Sequence, residues 1–194
     1  LGRVHKHAAY WYENPAATAQ LWEKRFTFER VRGESPTLVN LRRDKSRQVI
    51  SHWDGRWGWI EPQPKQPREP WKFVSIGEDE DWPQFYHGEG VGDVNNDGRP
   101  DLIINDGWYE QPAKSSENWT FHRGKFSTDR GGAQMFAYDV DGDGDQDVIS
   151  SLHAHLWGLA WFEHFTKPDG SINFREHRIM GDRSEEKKFG LAFS

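Results

Sequence analysis

Two short stretches hold the residues best suited to chemistry. One is Asp139-Val140-Asp141-Gly142-Asp143-Gly144-Asp145-Gln146-Asp147, and its upstream echo is Asp93-Val94-Asn95-Asn96-Asp97-Gly98-Arg99-Pro100-Asp101. Counted from the first Asp of each, short oxygen-bearing side chains fall at positions 1, 3, 5 and 9, with Gly at position 6. Alternate side chains turned inward suit a hard cation that takes six to eight oxygens, and Ca²⁺ is the natural choice. The expected ligands are Asp93, Asn95, Asp97 and Asp101 with the carbonyl of Arg99, then Asp139, Asp141, Asp143 and Asp147 with the carbonyl of Asp145. Gly98 and Gly144 occupy the sharp bend, where a positive φ is cheap without a Cβ. Mg²⁺ prefers a tighter, wetter octahedron, and with no Cys or His in either loop Zn²⁺ is poorly served. Carboxylates gathered this closely repel one another, so the loops are expected to order only with metal.

An EF-hand would need a Glu at position 12 and flanking helices. Position 12 is Ile104 in one copy and Ser150 in the other, and the neighbouring Leu102-Ile103-Ile104 and Val148-Ile149 read as buried strands. The loops must therefore be positioned by a sheet. A Trp, an apolar or aromatic residue and a Glu recur at Trp11-Tyr12-Glu13, Trp59-Ile60-Glu61, Trp108-Tyr109-Glu110 and Trp161-Phe162-Glu163. A second series follows at Leu21-Trp22, Trp71-Lys72-Phe73 and Trp119-Thr120-Phe121, with Ile172-Asn173-Phe174 in the last unit. The period is about fifty residues, the length of a four-stranded propeller blade. The expected fold is an all-β propeller of which about three and a half to four blades are present, divided as 1–32, 33–76, 77–124 and 125–181, with 182–194 opening another. The stretch Asn40 to Gln48 keeps the loop length but has lost the acids, so its site is expected to be empty.

Composition narrows the partners. The chain has 194 residues, no Cys, 11 Trp and 12 Phe, so aromatics must build much of the core. Its formal charge is −6. Most of that excess acidity lies in the two loops, and the near-balance elsewhere argues against nucleic acid as the main ligand. No apolar run reaches the length of a membrane span. The chain starts at Leu1 without a signal-like segment, and a piece of a larger propeller of about seven blades is expected.

Gly92 to Ile103 and Tyr138 to Ile149 resemble the FG-GAP/VCBS-type repeats of bacterial extracellular β-propellers, and Gly131 to Tyr138 with the loop after it is similar to repeats of environmental bacteria, planctomycete-like ones especially. There is no Gly-Ala-Pro, and Phe-Gly occurs only at Phe189-Gly190. The resemblance implies a calcium loop joining the first two strands of each blade, two calcium ions, and an extracellular or periplasmic setting. The function expected is a module that binds or scaffolds glycan or protein. Trp53, Trp57, Trp82, Tyr86 and Trp157, in or beside turns, are the candidates for stacking on a ligand. The alternative is part of a propeller-fold polysaccharide lyase or hydrolase, with His87, Asp106, His153 and His155 as candidate acid–base groups.

Overall fold

The computed structural model describes residues 8–16, 19–33, 35–44, 46–78, 82–83, 85–115, 117–127, 131–154 and 157–181. No helix occurs among them. The chain forms two compact units, Leu1–Gln84 and Phe85–Ser194. His155 and the tail 182–194 lie outside the described residues.

The first unit holds a hairpin of β1 (Ala9–Glu13) and β2 (Glu23–Phe28), and a four-stranded sheet of β3 (Leu38–Val39), β4 (Gln48–Trp53), β5 (Arg56–Glu61) and β6 (Lys72–Ser75). The turn from β4 to β5 is Asp54-Gly55, both residues at positive φ (49° and 74°), the geometry that matches the twist of paired strands. Phe28 of the hairpin meets the ring edge-on of Trp53, at 5.2 Å between centroids. The Trp71 N–H donates to the Thr27 carbonyl at 2.8 Å.

The second unit contains two complete sheets. One is β7 (Glu89–Gly92), β8 (Asp101–Ile104), β9 (Gly107–Glu110) and β10 (Thr120–Arg123). The other is β11 (Phe136–Tyr138), β12 (Asp147–Ser151), β13 (Leu159–Thr166) and β14 (Ile172–Met180). Each four-stranded sheet is an antiparallel meander in chain order, which is the architecture of a propeller blade. The recurring Trp-x-Glu series falls on the third strand of each sheet and on β1. In the last two sheets the strand opposite supplies a His: Trp108 stacks on His122 at 4.2 Å and Trp161 on His177 at 4.4 Å. Glu110 and Glu163 hold those imidazoles at 2.7 and 2.5 Å.

The two sheets of the second unit share a core of Val94, Ile103, Trp108, Phe126 and Met135 with Val148, Leu152, Trp157, Ala160 and Phe162. Their first strands run side by side, joined by a parallel bridge from Glu89 to Gln134. Small residues permit that approach, since a Cβ added at Gly92 would stand 2.0 Å from the Ala137 Cβ. Burial of both sheet faces explains why β8 reads as an unbroken apolar run after Asp101, with all four residues buried.

Candidate metal centre

Each acidic loop connects the first strand of its sheet to the second, β7 to β8 and β11 to β12. The last Asp of each loop is the first residue of a buried strand, and its carboxylate is held by backbone on both sides. Asp101 accepts from the Val94 N–H and from the Gln111 N–H, both at 2.9 Å. Asp147 accepts from Val140 at 3.0 Å and from His164 at 2.8 Å. The carboxylate thus ties the loop to the third strand or its end, and both residues are buried, at 0% and 1% exposure.

The remaining carboxylates are ordered in the same way in the two loops. Asp93 and Asp139 at position 1 accept from Gly98 (2.7 Å) and Gly144 (3.2 Å). Asp97 and Asp143 at position 5 accept from the N–H two residues on, at 2.8 and 2.9 Å. Among the described residues, one group of acids brings three oxygens within 4.8 Å of one another: Asp139, Asp141 and Asp147. The first loop has Asn95 where the second has Asp141, and Asp97 is paired with Arg99. Arg99 is further fixed by its Nε, which donates to the Gln111 carbonyl at 2.8 Å.

This packing of like charge is unfavourable without a counter-ion. Burial pushes Asp101 up to about 7, with the Asp97 and Asp93 charges adding to it against the two backbone donors. Asp147 is shifted upward as well, by burial first and then by Asp141 and Asp143. Oxygen ligands, several carboxylates and the lack of any His or Cys within the loops fit a hard divalent cation. The donor set of the second loop would be Asp139, Asp141, Asp143 and Asp147 with the Asp145 carbonyl, and that of the first Asp93, Asn95, Asp97 and Asp101 with the Arg99 carbonyl.

The other candidate residues are scattered. Trp57 and Trp157 are 1% and 5% exposed and Tyr86 is buried, so their rings are packing groups rather than a solvent-facing platform. Trp53, half-buried, packs against Phe28 and lies under the Arg32 guanidinium. Trp82 is half-buried. The carboxylate of Asp106 accepts from the Tyr86 hydroxyl, whose own proton is held more firmly by burial and by that carboxylate. His153 is buried in the turn after β12, where its N–H donates to the Trp157 carbonyl at 3.1 Å. His87 is half-buried and its carbonyl accepts from the Asn105 amide.

Sequence spacing gave no sign of a cleft of about 540 Å³ in the second unit, lined by Asn95, Trp108, Glu110, His122, Lys125 and Asn173 among others. The one legible trace was the Trp-x-Glu series, and the histidine opposite it lies 14 residues further on. No helix of the described residues is long and apolar enough to cross a membrane.

No match was found among curated proteins or among solved structures. A family model does match: residues 93–150, which carry both acidic loops and the strands between them, are similar to the FG-GAP-like repeat.

Proposed function

We propose that this chain is a calcium-binding β-propeller module in which the ion locks the hairpin between the first two strands of a blade. The carrying observation is the convergence of Asp139, Asp141 and Asp147 within 4.8 Å at a loop whose last carboxylate is buried. Burial, with the neighbouring Asp141 and Asp143 charges, raises the proton affinity of Asp147, and an ion there would supply the positive charge that favours its ionised form. Binding to the folded state alone adds stability by mass action, about 2.7 kcal/mol at a hundredfold excess over the dissociation constant. The test is thermal melting in calcium and in chelator. The midpoint should fall in chelator, and an unchanged midpoint would refute the reading.

The module works outside the cytosol, where millimolar calcium fills loop sites of modest affinity. Its role is to present a surface to glycan or protein. The cleft beside His122 supports that role, since its volume lies in the range of small-ligand pockets and it is lined by the partly exposed His122 ring together with donors and acceptors from Glu110, Asn95, Lys125 and Asn173. Titration with oligosaccharides, with His122→Ala as control, checks this part. Binding that is the same in the variant would place the ligand elsewhere.

A further inference from the structure

A side chain of the first acidic loop hydrogen-bonds to the second. Asn96, at position 4 of the first loop, reaches across to the second, 48 and 49 residues away in sequence. Its amide nitrogen donates to the Gly144 carbonyl at 3.1 Å and to Asp145 Oδ1 at 2.8 Å. Both partners are acceptors only, so the orientation of the amide is fixed by chemistry.

Position 4 needs a left-handed backbone. Asn96 has φ 57°, its counterpart in the second loop is Gly142 at φ 81°, and in the acid-poor loop it is Arg43 at φ 55°. Asn tolerates that conformation better than most residues and brings a donor that Gly lacks.

The partner segment is the place where the second loop would offer a main-chain oxygen. Asn96 pins the peptide at Gly144 and the side chain of Asp145 together. Asp145 Oδ2 lies 3.7 Å from Nδ1 of His164, whose side chain is 4% exposed and whose ring nitrogens make no hydrogen bond. The N–H of that histidine already holds Asp147. The Asp145 carboxylate is thus drawn toward Asn96 and the buried imidazole, leaving its carbonyl as the oxygen available to an ion.

We propose that Asn96 is a positioning residue for the second cation site, supplied by the first loop, and that the two sites consequently fill cooperatively. An ion held by Asp93, Asn95 and Asp97 fixes the backbone around Asn96, and Asn96 then fixes the Gly144–Asp145 segment. By linkage, filling the second loop strengthens the first by the same factor. The inference rests on the calcium reading above.

Calorimetric titration of calcium into the whole chain separates the two. Wild type should bind two ions with positive cooperativity. Asn96→Gly keeps the left-handed backbone and removes the amide. It should weaken the second site about tenfold, the low end of the effect of removing a group that orients a ligand, and make the sites independent. Asn96→Asp, which sets a carboxylate beside Asp145, should weaken it further. Two sites that are independent in wild type and unchanged in Asn96→Gly would overturn this inference alone. Absence of calcium binding in wild type would overturn it together with the calcium reading.

Discussion

The loop Asn40 to Gln48 and the loop Asp139 to Asp147 have the same hydrogen-bonded skeleton and opposite charge. In the first, the Leu41 N–H donates to Gln48 Oε1 at 2.9 Å, as Val140 donates to Asp147 in the second. Asp44 accepts from the Ser46 N–H at 2.7 Å, as Asp143 accepts from Asp145. Gln48 is fully buried, as Asp147 nearly is. Yet the formal side-chain charge is +3 in one (Arg42, Arg43, Lys45, Arg47 and Asp44) and −5 in the other (Asp139, Asp141, Asp143, Asp145 and Asp147). The fold of this turn is therefore specified by an acceptor at position 9 and an Asp at position 5. The extra acids Asp139 and Asp141 add bonds from the Gly142, Gly144 and Asp143 N–H groups, and in the acid-poor loop Arg42 instead turns to Glu61 at 2.9 Å. Backbone donors tie both loops down in the same places, and the acids present only in the second are the groups the proposed cation would use.

The largest break in the parallel should come at position 9. Asp147→Ala strands the buried N–H of His164 and the part-buried N–H of Val140, at a cost of about 2–4 kcal/mol, and it should also remove the response to calcium. Gln48→Ala strands one donor, costs about 1–3 kcal/mol, and should do so equally in calcium and in chelator. Denaturant melts of the two variants in both buffers decide it. A calcium-dependent loss in Gln48→Ala would break the comparison.

Titration with acid should separate the two regions in sign. In the sheet that carries the acid-poor loop, His52 is fully buried edge-on to Trp57, and burial, helped by the Arg32 charge, pushes it down to about 4. The unfolded chain takes up the proton first, near pH 6.5, so this contribution is intact above pH 6.5 and is lost as pH falls toward 4. The loss is about 3 kcal/mol, and His52→Phe should abolish it. Asp101 acts oppositely in chelator. Its folded value of about 7 lies above the usual carboxylate range, so the folded state holds the proton more tightly and stability declines as pH rises from about 4 to about 7. Calcium should flatten that second slope and leave the first unchanged.

The matched pair at position 5 gives a smaller, sharper contrast. At a hundredfold excess of calcium, Asp143→Ala should forfeit up to about 2.7 kcal/mol through the lost ion. Asp44→Ala should lose about 1 kcal/mol through the turn alone, with no calcium dependence. The smallest effect belongs to Arg42→Ala. Its pair with Glu61 is half exposed, so stability should change by no more than about 0.5 kcal/mol.

Much of this was legible in the sequence because it repeats. The fifty-residue period and the Trp-x-Glu series marked the third strands, and the alternating acids marked the turns before the second strands. What was not legible depends on contacts distant in sequence. Gln111 and His164, which close the grip on Asp101 and Asp147, lie 10 and 17 residues away and are chosen by strand pairing rather than by type. The Asn96 bridge spans two sheets, and nothing in its own loop distinguishes it from a turn residue. Burial of Trp57 and Trp157 was not legible for a related reason: a Trp beside a turn is as readily consumed by the core as offered to a ligand.

The central claim is that the acidic loops are filled and the basic one is not. Equilibrium dialysis of chelator-stripped protein against calcium, with the bound metal counted by mass spectrometry, measures this directly. Two ions per chain in wild type, one in Asp143→Ala and two in Asp44→Ala would bear the account out; a wild-type chain that stays folded and retains no calcium at millimolar concentration would contradict it.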